Sequence, residues 1–333
     1  MPQRIRYAGL GEEASYAPDP PADPTFHVDI GSASLDAPSD PRLVFEGGIG
    51  RSRRLHRPGY YVPSGNIVYM VDVRTIAAAL KWTLGGYSFT ADGGDAGLNL
   101  HECYGSEDVE LPSFTARIGK DLLEHVFAGC VVGQAQLEVS DGWAQLTLDV
   151  EGARDSKATL LAPTALDLPD EYPLTFQDTT LELAGSDASA KARSLTLTVD
   201  NNLASAQGRQ FGSRFPARMP AEARNVTAQA TVYYDTLEHL ERFWGDEAGA
   251  SEGGVAETTL TVTMDAGDDG QVVLELPRIA YSTVAQQPSG RSEIEHTVEA
   301  DAFADTVTLE DASEVDTELY VRVSNDAAEV EAA

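Results

Sequence analysis

The sequence predicts a mainly β protein with two short helices. Three observations carry that expectation. Apolar and polar residues alternate with a period of two in many short runs. Clusters of Gly, Pro, Asp and Asn punctuate those runs. Only two windows show the three-to-four-residue apolar spacing of a helix.

Taken in order, the first 46 residues are rich in Pro, Asp and Ala. Pro18, Pro20, Pro21, Pro24, Pro38 and Pro41 bar a helix and favour an extended N-terminal arm over 1–46, either a loose leader or a strap on a neighbour. Short β patches are expected at Phe26–Ile30 and Leu43–Phe45. The stretch GGIGRSRRLHRPGYYVPSGN, residues 47–66, then gathers Arg51, Arg53, Arg54 and Arg57. Ile67–Val73 reads as a strand and Arg74–Leu84 as a helix. Ile76, Leu80 and Leu84 recur on one face, and Gly85-Gly86 ends it. From there to Leu161 the pattern is β. Phe114, Ala116 and Ile118 alternate with polar neighbours, and Val131–Val139 and Trp143–Val150 flank an Asp141-Gly142 hairpin turn. Residues 162–174, with three prolines and two aspartates, read as a joint.

The second half is again strands: Thr180–Leu183, Ser194–Asp200, Asn225–Tyr234, Thr258–Asp265, Gln271–Leu276 and Leu319–Val323. Between two of them Thr236–Trp244 reads as a helix with a stripe of Leu237, Leu240, Phe243 and Trp244. Asp235 stands at its N-cap and Gly245 at C′. The link 208–224 carries Arg209, Arg214, Arg218 and Arg224 and is too long and too basic for a hairpin turn. It is expected, like the arginine loop at 47–65, to reach a neighbouring subunit through bidentate contacts to carboxylates. The alternative is a solvated basic loop balancing local acid. The halves also resemble one another. SFTARIGKDLLEHVF with AGCVVGQAQLEVSDG parallels SLTLTVDNNLASAQG with RNVTAQATVYYDT, unless two β-hairpins look alike by chance.

Composition bounds the function. Basic residues number 23 against 54 acidic, a net charge of −31, and only Lys81, Lys120, Lys157 and Lys191 are lysines. Such a surface stays hydrated at molar salt, where the Debye length is only ~3 Å. It reads as a halophile's protein, with an acidic mesophilic protein as the alternative. The charge disfavours a tight grip on nucleic acid or an anionic membrane. Cys103 and Cys130 read as two buried free thiols. No apolar run approaches the ~20 residues of a membrane span, and the N-terminus has no apolar signal core.

No motif supports catalysis. His101-Glu102-Cys103 holds three metal-binding side chains, but strand neighbours point to opposite faces. Residues 265–270, DAGDDG, lack the alternate-position ligands of a calcium loop and read as a hairpin turn. AGLG at 8–11 lacks the remainder of a dinucleotide fingerprint, and no nucleophile elbow, Walker loop or CxxC occurs. Asn225-Val226-Thr227 is a sequon placed at the start of a core strand. The chain is expected to be no enzyme and to hold neither metal nor cofactor.

Three passages resemble the tail tube proteins, or major tail proteins, of viruses with long non-contractile tails. One is HVDIGSASLDAP followed by PGYYVPSGNIVYMVDVRTIAAALKWTLGG. Another is SFTARIGKD with GCVVGQAQLEVSDGWAQLTLDVEGARDS. The last runs from SLTLTVDNNL through VTAQATVYYDTLEHLERFWGD to LELPRIAYS. With the acidic composition, a virus of a halophilic archaeon is implied. The resemblance implies two tail-tube-like β-sandwich domains, at 47–165 and 166–333, each with a short flanking helix. Inner sheets would join between subunits into a barrel. Rings would stack, with a long loop or arm from one ring reaching the next. The tube would conduct double-stranded DNA, which passes an acidic bore without specific binding. Candidate bore strands are Gln134–Val139 and Thr227–Thr231. The partners implied are further copies of the chain and other tail proteins at the tube ends, with no membrane. Three copies per ring with pseudo-sixfold symmetry are favoured over six. The product would be made in the host cytoplasm and end in the virion tail. The rival readings are a baseplate or tail-terminator ring and a haloarchaeal surface or adhesion module.

Overall fold

Two strands are about three times the ~5–6 residues of an ordinary strand, and they organise everything else. β10 (Leu123–Val139) has 17 residues and β18 (Gln271–Gln286) has 16. Each lies in one sheet with its first half and in another with its second. The computed structural model describes residues 6–36, 41–45, 55–94, 97–169, 173–233, 237–251, 256–286 and 295–330, and everything below concerns these.

The second halves of β10 and β18 belong to one antiparallel sheet of eight strands. Its order is β3 (Ile30–Ala33), β6 (Ser64–Met70), β11 (Gln145–Glu151), β10, β15 (Ala192–Asp200), β16 (Asn225–Tyr233), β19 (Glu295–Ala302) and β18. The first half of β10 pairs with β9 (Phe114–Lys120) and β12 (Arg154–Ala158). β9 continues to β1 (Ala8–Glu12) and β2 (Phe26–Val28). The first half of β18 pairs with β17 (Glu257–Asp265) and β22 (Tyr320–Asn325). β17 leads to β13 (Thr179–Leu183) and β14 (Ser186–Asp187), and β22 to β8 (Asn99–Gly105) and β7 (Gly85–Thr90). Two hairpins stand apart, β4 (Arg42–Phe45) with β5 (Leu55–Pro58), and β20 (Asp305–Thr308) with β21 (Glu314–Thr317). The ladder of pairings branches and does not close on itself among the described residues. The fold is mainly β, as the sequence predicts.

The connection order occurs twice. In each set a hairpin outside the eight-stranded sheet is followed by two strands of that sheet, a helix, the long strand with its partners, and a last strand outside the sheet. The hairpins β4–β5, β7–β8 and β20–β21 are inserted into this order. The irregularities repeat as well. The ladder of β10 breaks against β9 between Phe127 and Cys130, and that of β18 against β17 between Leu276 and Ile279. The next breaks fall between Val132 and Gln134 against β11, and between Tyr281 and Thr283 against β19. β3 skips a residue between Ile30 and Ser32 against β6, as β15 does between Ala192 and Ser194 against β16. A bulge adds local twist and bends its strand, so matched bulges give both sets the same curvature. At the first break of β10, Gly129 has φ +69°, a conformation a side chain would strain. Its N–H donates to buried Glu13 at 2.9 Å. The equivalents are therefore β9–β10 with β17–β18, and β3–β6 with β15–β16. That differs from the sequence parallel of β9–β10 with β15–β16, because alternation marks a strand without marking its place in the order.

The N-terminal segment differs from an extended arm. Ala8–Glu12 are all buried, β1 pairs with both β2 and β9, and Leu35 is fully buried. Residues 6–36 are thus part of the body. Of the arm, 1–5, 37–40 and 46 lie outside the described residues.

Among the described residues one large hydrophobic core dominates, with a small separate cluster of Leu111, Val131 and Met219. Helix α1 (Ile76–Leu84) is buried on every side except at Lys81. It starts two residues later than the spacing predicts, because Asp72 accepts bonds from the N–H groups of Arg74 and Thr75 at 2.9 and 2.8 Å and holds a turn there. Helix α2 (Glu238–Trp244) ends at Gly245 in the left-handed conformation, as expected, while Asp235 lies outside the described residues. Phe243 packs on the core, but Leu237 is half exposed and is not part of a buried stripe.

His101 is a buried titration point in this core. Asn325 Nδ2 donates to Val73 O at 2.6 Å, so its Oδ1 accepts from His101 Nε2 at 2.9 Å, and Nδ1 accepts from Tyr87 OH at 2.8 Å. Burial holds the imidazole below its ordinary value of 6.5, and burial does the same to His27. The folded state therefore resists the proton. Their stability contribution is complete above the unfolded pKa and is lost as pH falls below it toward the folded values. The melting temperature should fall between pH 7.5 and 5 in calorimetry. The variant His101→Gln should show a shallower decline, and an equal slope would exclude His101.

Candidate assembly surfaces

The eight-stranded sheet has one apolar face and one polar face. Along β15, Leu195, Leu197 and Val199 are buried, while Thr196, Thr198 and Asp200 alternate with them on the open face. Registers align these residues across strands. Asn66, Asp149, Gln134, Asp200 and Asn225 form one row. Val68, Thr147, Gln136, Thr198, Thr227 and Asp301 form the next. Met70, Gln145, Glu138, Thr196, Gln229 and Glu299 form the third, in which Gln229 Nε2 donates to Glu299 Oε1 at 2.7 Å. Arg193, at the bulge of β15, is the only lysine or arginine in the eight strand segments. The two stretches singled out in the sequence, Gln134–Val139 and Thr227–Thr231, lie on this one sheet, joined through β15.

The sheet has two open edges. Among the described residues β3 pairs only with β6, and β18 beyond Tyr281 pairs only with β19. Open edges invite strand addition by another chain.

At the end of the sheet where β15 finishes and β6 and β16 begin, the two basic excursions meet. Tyr61 N–H donates to Arg214 O at 2.8 Å, and Tyr60 OH donates to Ser205 O at 2.6 Å. The Arg209 guanidinium lies over the Tyr60 ring at 4.7 Å and that of Arg214 over Tyr61 at 5.0 Å. Such cation–π contacts hold each guanidinium against the face of its ring. Arg57, Tyr60, Arg209, Arg214 and the fully exposed Phe211 line an open cleft. The adjoining β4–β5 hairpin presents Leu43 and Phe45, 68 % and 66 % exposed, beside exposed Leu55. Arg51, Arg53 and Arg54 lie outside the described residues.

Arg218 pairs with Glu110 at 3.6 Å on the surface. Arg224 is placed differently from the rest. It is nearly buried, pairs with Glu318 at 3.1 Å, and donates through Nη1 to Leu84 O and Ser106 O at 3.3 and 3.2 Å. It caps the end of α1 and ties the link to β8. Removing one member of a buried pair costs about 3–5 kcal/mol, so Arg224→Ala should lower the denaturation midpoint markedly. Arg218→Ala should stay within about 0.5 kcal/mol. Equal effects would contradict these placements.

Exposure of Leu43, Phe45 and Phe211 was not legible beforehand, although the apolar Leu-Val-Phe run enclosed by proline and glycine turns is a signal for it. The other candidate groups have structural partners. Tyr320 OH donates to Glu102 Oε1, and Cys103 Sγ contacts Ala77 O at 3.5 Å. Cys103 and Cys130 are both free and buried, and burial pushes the Cys103 thiol up to about 12. No cluster of three His, Cys, Asp or Glu poised for a metal occurs among the described residues.

A family model described as phage tail tube protein matches residues 6–302. No curated protein matches the chain.

Proposed function

Since this chain belongs to the phage tail tube protein family, a structural component of the virion tail that assembles into a tube, we propose that three copies form each ring. Each copy supplies two tandem tail-tube units, residues 6–158 and 179–325. The observation that carries this reading is the eight-stranded sheet with matched halves and one polar, almost base-free face.

Three such sheets joined edge to edge contain 24 strands. At a spacing of ~4.8 Å and a tilt near ~40°, they enclose a barrel roughly 45–50 Å across the backbone. Side chains narrow that bore but leave room for a DNA duplex. Six copies would double the strand number and the width. Closure also covers both open edges. Asp149, Glu138, Asp200, Glu299 and Asp301 then face the bore. They repel phosphates, so the genome slides without sticking.

The β4–β5 hairpin and the arginine cleft serve the next ring. They lie at one end of the barrel strands, and every copy carries a net charge of −31, so the cleft's arginines meet an acidic partner. The same charge, with four lysines, suits assembly at molar salt in a halophilic host. Purified protein tests the reading in the electron microscope. Long tubes are expected at high salt. Single capped rings would instead indicate a baseplate or terminator role.

A further inference from the structure

We infer that the seam inside one chain, where β10 meets β15, is the template for the seam between chains, so that Ala285 of one copy lies opposite Asp36 of the next. This rests on the ring reading above and adds the register to it.

The internal seam joins the last strand of the first unit to the first strand of the second. There Gln134 faces Asp200, Gln136 faces Thr198 and Glu138 faces Thr196. A seam between copies must join the corresponding strands, β18 and β3, which are the two open edges. The repeated bulges make the correspondence residue by residue. Gln134 follows the break in β10 as Thr283 follows the break in β18, so Ala285 corresponds to Gln136. Ser32 follows the break in β3 as Ser194 follows the break in β15, so Asp36 corresponds to Thr198. β3 keeps its alignment on β6 as far as Asp36, through the bond from Ser34 N–H to Asn66 O at 2.9 Å and a bridge to Ser64. Since Gln136 faces Thr198 within the chain, Ala285 faces Asp36 between chains. The neighbouring pair agrees chemically. Leu35 corresponds to Leu197, and both are buried on the core side. A one-residue slip would turn Leu35 toward the bore, which the alternation of the sheet forbids.

Cysteine pairs in the full chain test this, because both native thiols are buried. Tubes of Asp36→Cys/Ala285→Cys, mildly oxidised, should give dimers and trimers on non-reducing gels. Gln136→Cys/Thr198→Cys should cross-link only within the monomer. Ser34→Cys/Thr283→Cys is slipped by about 13 Å, four residues at ~3.3 Å each, and should remain uncross-linked. Asp36 also pairs with Lys120 at 3.3 Å, so its variant could assemble poorly. In that case the wild-type tube decides by cryo-electron microscopy, where the two Cα atoms should lie ~4.5–5.5 Å apart. Tubes whose seam is slipped by two or more residues, or whose cross-links appear only in the slipped pair, would overturn the register and leave the ring reading standing. Absence of any ring from the wild-type protein would overturn the ring reading itself.

Discussion

Trp82→Ala should destabilise the fold by about 3–5 kcal/mol, the range for truncating a buried aromatic side chain. Trp82 is fully buried in α1. Its indole stacks on Phe114 of β9 at 4.5 Å between centroids and on Phe26 of β2 at 6.1 Å. The ring therefore joins the helix to the N-terminal strands and to the sheet shared with β10. Its Nε1–H donates to Glu12 Oε2 at 3.0 Å, and Lys81 pairs with Glu12 Oε1 at 2.9 Å. Truncation opens a cavity and leaves a buried carboxylate one donor short, two penalties that act together. For a domain whose whole stability is about 5–15 kcal/mol, much of the protein should be unfolded or aggregated at moderate temperature. Trp82→Phe keeps most of the volume and should cost less. Trp143, half exposed, provides the contrast, since Trp143→Ala should change stability by about 0.5 kcal/mol or less. Denaturant midpoints check all three, and equal midpoints for Trp82→Ala and Trp143→Ala would contradict the packing.

Leu43→Asp/Phe45→Asp should leave the fold intact and stop tube growth. Both side chains are largely exposed on a hairpin that, among the described residues, pairs with no other sheet, so the single chain has little to lose. Covering such side chains contributes about 1.5–3 kcal/mol each, and in the proposed ring of three, three hairpins would face the neighbouring ring. Replacing them with carboxylates removes that gain and sets like charge against an acidic partner. Melting should match the wild type, while microscopy and sedimentation should show rings or monomers without tubes. Normal tubes would remove the hairpin from ring stacking. A lowered melting temperature would place it in the fold of its own chain.

The longest strands read in the sequence, such as β15 and β16, have one buried and one open face and therefore alternate. Several strands without that pattern were missed for identifiable reasons. β1 is Ala-Gly-Leu-Gly-Glu and buried throughout, so no period of two shows. β8 buries His101, Glu102 and Cys103 in a row, which in sequence suggests chemistry before packing. β10 was legible from Val131 onward, but its first half is hidden behind the Gly129 kink that moves it between sheets. The assembly surfaces divide the same way. The polar strands at 134–139 and 227–231 were visible as alternation. The role of Arg224 was not, since its partner Glu318 is 94 residues away and sequence cannot tell whether a distant carboxylate belongs to the same chain or to another. The duplication was visible as a hint, and only the paired bulges showed which strands correspond.

The number of chains in one ring of the tube tests the account most directly. Cryo-electron microscopy of tubes grown from the wild-type protein should show three chains per ring, a bore of 24 strands with near-sixfold appearance, and only threefold symmetry at the β4–β5 hairpins. Six equivalent chains around the bore would contradict it.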